Sequence, residues 1–319
     1  MQRAFLFLLV SGVCLWQAAP SPAQQTGSAN KPLEVIELRP NFHVIAGDGA
    51  NISVESGSDG LVVVDSGSGA RSDEVLAAIR KISTAPIRYV IDTSADPDVV
   101  GGNARIAAVG DSLIPAAPNG EKIASGASIL AYLNVETRMS APTGKQAPFP
   151  VEAWPTETYS NKLKSMLLNH EAIQISLQPA AHTDGDSIVF FRRSDVVAVG
   201  NIIDTENFPV IDVGRGGSIQ GELDALNRLV DLAVPATPLL GQEPGTYVVP
   251  GHGRVLEQSD VVNYRDMVTI IRDVVQDLIN KGNTLEQIQA AEPTKGYTSR
   301  YGGANRFVEA IYKSLTKRK

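Results

Sequence analysis

The chain has 319 residues, 43% of them hydrophobic and 20% charged, the balance of a folded globular protein rather than a disordered or fibrous one. Its formal net charge is −7, and no basic patch or arm precedes the terminal Lys317-Arg318-Lys319. This argues against a general nucleic-acid or anionic-membrane binder.

The amino terminus reads as an export signal. Arg3 supplies the positive end, Ala4 to Trp16 the apolar stretch, and Ser21-Pro22-Ala23 the small residues for cleavage. Residues 1–23 are therefore expected to be removed, leaving a polar linker over 24–32 and a periplasmic or secreted protein that is free of the membrane once cleaved. The only cysteine, Cys14, lies in the removed stretch. Disulfides and thiolate ligands are then excluded, and any metal would have to be held by His, carboxylate or amide groups.

Short strand patterns follow at Phe42 to Ile45, Ile52 to Glu55 and Leu61 to Asp65, separated by Gly- and Asp-rich turns that suggest an antiparallel meander. Ser72 opens a helical pattern with Val75, Leu76, Ile79 and Ile82 on one face, and Ile87 to Ile91 is strand-like after the breaker Pro86. A helix is expected over Ile123 to Arg138. The Pro-rich stretch Ala141 to Pro155 reads as a surface loop bordering a cleft.

Two hairpins are expected next: Lys162 to Leu168 with Ala172 to Leu177, around Asn169-His170-Glu171, and Ser187 to Phe191 with Val196 to Gly200. A helix spans Ile219 to Leu232, and Tyr247 to Val249 is a last short strand. The tail carries one apolar stripe, Tyr264, Val268, Ile271, Val275 and Leu278, ending near Gly282; Thr284 with Gln287 forms a capping box for the next helix. Periodicity supports an α/β architecture, with one domain over 33–257 and a helical extension over 258–319 packed on it.

Nearly all the chemically suggestive side chains fall in a few loops after predicted strands. The segment Thr93-Ser94-Ala95-Asp96-Pro97-Asp98-Val99-Val100-Gly101-Gly102-Asn103 resembles the T-H-x-H-x-D-H-x-G-G-N loop of the metallo-β-lactamase-fold hydrolases. Ala181-His182-Thr183-Asp184-Gly185-Asp186-Ser187 resembles the loop with the family's next histidine, and Pro250-Gly251-His252-Gly253 the loop with the last. Gly200-Asn201 stands at the family's Gly-Asp. Pro209-Val210-Ile211-Asp212 and Gly216-Gly217-Ser218-Ile219-Gln220-Gly221 are similar to a subgroup with a long helical tail.

The resemblance implies a four-layer αββα sandwich with Asp65 as a structural residue beneath the metal loop. It also implies hydrolysis by metal-activated water, because a zinc ion with an open position brings bound water to a pKa near 7. Carried over by position, the first metal keeps His182 but meets Ser94 and Asp96 where histidines belong. The second keeps Asp98 and His252 but meets Val99, and Asn201 replaces the bridging carboxylate.

Asp96, Asp98, His182 and His252 remain as candidate ligands of a single divalent ion, most simply zinc, with Ser94 and Asn201 as weaker donors and Asp98 as the candidate catalytic carboxylate. Two readings stay open. One is an exported hydrolase with an atypical, mononuclear or metal-poor site, directing water at an ester, thioester, amide or lactam carbonyl. The other is a small-molecule binding protein that keeps the pocket and has lost the metals, in which Asp98 caps the following helix. His43 and His170 read as ordinary strand and turn histidines.

Overall fold

The computed structural model describes residues 32–113, 125–237 and 245–317. The expected export signal and all but the last residue of the expected linker lie outside these residues. Seven strands form the first sheet, in chain order: β1 (Glu34–Arg39), β2 (Phe42–Ala46), β3 (Ile52–Gly57), β4 (Gly60–Val64), β5 (Ile87–Ile91), β6 (Ser128–Tyr132) and β7 (Glu157–Tyr159). The first four are the antiparallel meander, and β4 to β7 run parallel. The second sheet has the order β12 (Tyr247–His252), β11 (Val196–Asp204), β10 (Asp186–Phe191), β9 (Glu171–Gln178) and β8 (Leu163–Leu168), with β11 and β12 parallel.

Alternation along the strands builds three packed layers of contact. Val62 and Val64 of β4, Ile173 and Ile175 of β9, and Val189 and Phe191 of β10 meet between the sheets, where Phe42 packs edge-on against Phe191 at 4.9 Å. Leu61 and Val63 point the other way, onto α1 (Ser72–Ile82) and the short helix α3 (Asn103–Ala108), while the short helix α2 (Pro97–Val100) buries Val99 and Val100 in a separate cluster with Ala131 and Met139. Val197 and Val199 turn outward onto α5 (Ile219–Leu232), α6 (Gln258–Asn280), α7 (Leu285–Ala290), α8 (Thr298–Tyr301) and α9 (Asn305–Thr316). Both sheets are covered on both faces, which is why their central strands read as continuous apolar runs. The result is the αββα sandwich with a helical tail.

The expected helix over 123–138 is corrected. Residues 123 and 124 lie outside the described residues, and the rest divides into strand β6 and helix α4 (Leu133–Ser140). Ser128 to Ala131 is buried beside β5, and a short run buried on both faces has no periodicity to separate strand from helix. The segment 141–155 is a largely exposed connection as expected, but among the described residues it does not border the main cleft.

The hairpin of β8 and β9 closes on Asn169 and His170, with φ of 55° and 59°, the mirror-image turn that matches strand twist. Asn169 reaches from this turn to the other sheet and donates to Glu55 Oε2 at 2.7 Å. Glu55 is wholly buried, its Oε1 has no partner among the described residues, and Glu171 lies nearby. Burial foremost, and then Glu171, push its carboxyl up to about 7, against the Asn169 hydrogen bond. A raised carboxyl favours the folded state below its unfolded value near 4.5, and that contribution disappears as pH rises through about 7. The stability difference between Glu55→Gln and wild type should therefore shift in favour of the variant between pH 4.5 and 7, by an amount on the order of 2–3 kcal/mol. Urea unfolding of both proteins across that range checks this; parallel curves would refute it.

Candidate functional site

The site is assembled at the end of the sandwich where β4, β5, β9, β11 and β12 run into loops. Beneath it lies Asp65, just after β4 with φ of 63°, accepting hydrogen bonds from Thr93 N and Thr93 Oγ1 at 2.8 and 2.9 Å. Burial raises the Asp65 carboxyl to about 7 despite those bonds. Asp92, buried beside it, takes a hydrogen bond from Asn103 Nδ2 at 2.9 Å. Gly102 lies so close to Ser66 that a Cβ would fall 2.2 Å from the Ser66 carbonyl oxygen, which accounts for glycine in this part of the loop.

Asp96 is the hub of the site. Its Oδ2 contacts His182 Nε2 at 2.8 Å, Ser94 Oγ at 2.8 Å and Asn201 Nδ2 at 3.3 Å. Its Oδ1 accepts from Arg215 Nη2 at 2.6 Å. His182 Nδ1 donates to the Val210 carbonyl, so Nε2 is aimed at Asp96. Burial opposes charge on both partners, but the pairing wins: the Asp96 carboxyl is held well below its ordinary range by His182 and Arg215, and His182 is raised to about 9 by Asp96. Asp96 is an anion here and His182 a cation.

Arg215 was not singled out by the sequence. It sits in a single 3-10 turn, Val213–Arg215, whose leading residue Asp212 accepts Arg215 N at 2.9 Å through Oδ1 and Arg215 Nε at 2.6 Å through Oδ2. Gly216 follows with φ of 90°, and at Gly217 a Cβ would come within 2.2 Å of the His182 carbonyl oxygen. The signal available was positional: an arginine among Gly214, Gly216 and Gly217, just before the N-cap Ser218 of α5.

Asp98 and His252 form a separate pair, Nε2 to Oδ2 at 2.8 Å, facing a cleft of about 1840 Å³. Asp98 lies in the first turn of α2 and is engaged with His252 instead of capping a helix. Burial works against a charged His252, but Asp98 raises it above its ordinary value. The cleft is also lined by Val210, Phe208 and Asp212, with Arg306 and Phe307 from α9 on its far wall. Val99 points away, wholly buried in an apolar cluster with Ala50, Ala131 and Met139. His43 is in β2, and His170 is an exposed turn residue.

The four main candidate ligands thus meet as two pairs, Asp96 with His182 and Asp98 with His252, while the buried Asn201 Oδ1 has no partner among the described residues. Among the described residues no group of three or more His, Cys, Asp or Glu side chains is arranged to hold a metal ion. Arg215 has no lone pair to offer and already occupies Asp96 Oδ1. These residues, as placed, do not fit a catalytic metal.

Two measurements check this electrostatic arrangement. Asp96→Asn removes the anion from His182 and Arg215, and should lower unfolding free energy by about 3 kcal/mol, the low end for a broken buried pair because the Arg215 side chain keeps 33% exposure. His182, with a raised value, stabilises fully below pH 6.5 and loses that contribution as pH passes about 9; in Asp96→Asn this alkaline loss should flatten. An unchanged alkaline slope in the variant would contradict the pairing.

No family model matches the sequence, and no curated protein matches it. Among solved structures, the stereoselective inverting sec-alkylsulfatase Pisa1 from Pseudomonas sp. superposes with a TM-score of 0.61 at 15% identity, covering 90% of this chain and 51% of that one. The chain therefore spans about half the length of that enzyme. A metallo-β-lactamase from Pontibacter korlensis gives 0.54 at 14% identity, covering 74% of this chain and 99% of that one. The DIM-1 metallo-β-lactamase gives 0.52 at 14% identity, covering 75% and 98%. Together with the two covered sheets and the order of the loops, these likenesses establish that the chain has the metallo-β-lactamase fold.

Proposed function

We propose that this chain is an exported protein that uses the metallo-β-lactamase fold to bind a small molecule without a catalytic metal pair. The observation that carries this reading is the complete engagement of Asp96 by His182, Ser94, Asn201 and Arg215. A carboxylate with an arginine and a histidine already on it is closed to a metal unless those contacts break.

The ligand would lie in the cleft. Phe208, Val210 and Phe307 give it apolar wall, while the Asp98–His252 pair supplies the polar groups that would hydrogen-bond a carbonyl, carboxylate or sulfate oxygen. Asp98 orients that imidazole in this reading. A second reading, hydrolysis of an ester, thioester, amide or lactam, is favoured by the one fact that Asp98 and His252 do face the cleft.

Elemental analysis of protein purified without chelator separates the two. Well under one equivalent of zinc, manganese or iron is expected, together with no chelator-sensitive turnover of nitrocefin, p-nitrophenyl esters or a sec-alkyl sulfate. A thermal-shift screen of small acids should yield ligands that stabilise wild type and lose their effect in His252→Gln. A full equivalent of metal, with turnover that a chelator abolishes, would overturn the binding reading in favour of the hydrolase.

A further inference from the structure

The guanidinium of Arg215 lies between two carboxylates. Nη2 is 2.6 Å from Asp96 Oδ1, and Nε is 2.6 Å from Asp212 Oδ2. The turn that carries it has other anchors. Asp212 Oδ1 accepts the Arg215 N–H at 2.9 Å, and the Arg215 carbonyl accepts from Asp184 N at 3.1 Å and Arg138 Nη2 at 2.8 Å. Asp212 N also donates to the His182 carbonyl at 2.8 Å, tying this turn to the histidine loop.

The path of the backbone therefore does not hang on the guanidinium alone. Deleting that side chain would remove the group that joins Asp96 to Asp212, with the His182 imidazole still beside Asp96. Carboxylates and an imidazole are ligand types that zinc, manganese or ferrous iron accept, although with Arg215 in place these three side chains do not converge as a metal-holding group. An arginine, by contrast, is permanently charged, and its planar fork suits bridging carboxylates.

We propose that Arg215 is the resident cation of this site, standing where a divalent ion would bridge Asp96 and Asp212, and that its side chain is what keeps such ions out. The inference rests on the metal-free reading above and shares its Asp96–Arg215 contact, but adds Asp212. Asp212 is outside the ligand set implied by the family resemblance, and Asp98 and His252 take no part. An ion approaching Asp96 and Asp212 has first to displace a partner that holds both.

The test compares the full chain with Arg215→Ala, Arg215→Lys and the double variant Arg215→Ala/Asp212→Asn. Each is stripped with chelator, dialysed, and titrated calorimetrically with Mn²⁺ and with Zn²⁺, with melting temperature recorded in parallel. Wild type and Arg215→Lys, which keeps the charge, should take up no ion and show no shift. Arg215→Ala should bind one equivalent and melt higher with the ion than without it, and the double variant should lose that uptake. Arg215→Ala that binds no more than wild type, or uptake indifferent to Asp212→Asn, would overturn the proposal. Should Arg215→Ala not fold in stripped buffer, recovery of native circular dichroism on refolding with Mn²⁺ supports the proposal, and failure both with and without the ion overturns it. Stoichiometric metal on wild type would instead sink the metal-free reading itself.

Discussion

The carboxylate of Asp96 joins parts of the chain that nothing else brings together so directly. Through it the loop after β5 meets His182 from the loop after β9, Asn201 from β11, and Arg215 from the turn before α5. Each partner is a donor, and each contact is short enough to be a hydrogen bond as well as an electrostatic attraction. A buried anion on its own would be costly, but this one has two cationic partners and two neutral donors. The desolvation that would otherwise raise its pKa is overcome, and the loops inherit a defined spacing.

The neighbouring acids obey the opposite balance. Asp65 and Asp186 receive hydrogen bonds from Thr93 and Thr183, all neutral donors, and burial lifts them to about 7 and about 6. Glu222 on α5 is more extreme: it is buried, neither carboxyl oxygen has a partner among the described residues, and burial raises its pKa well above the ordinary value. Among Asp96, Asp65, Asp186 and Glu222, Asp96 is the one with an arginine in contact, so its charge is held most firmly while burial raises the other three.

Much of the architecture was legible because it is written in short-range patterns. Ile219 to Leu232 and Ile87 to Ile91 match their elements, and Thr284 with Gln287 does form a reciprocal cap. Strand β6 was missed because burial on both faces erases the alternation that identifies a strand. The loops bearing Asp96, Asp98, His182 and His252 were found from residue types at familiar spacings, and the structure adds that they meet as two pairs. Arg215 escaped because arginine ligates no metal and its partner is 119 residues away in sequence. A search for donors to an ion does not look for a substitute for the ion.

That substitute has a property no bound ion shares. Occupancy of an ion site depends on supply: dilution, competing chelators or scarcity empty it, and the loops around it then lose their anchor. A cation attached to the chain at Arg215 has an occupancy fixed at synthesis, at a local concentration set by the turn that carries it. On the proposal made for Arg215, the loop spacing at this end of the sandwich would be a property of the polypeptide alone, the same in a medium rich in zinc and in one stripped of it.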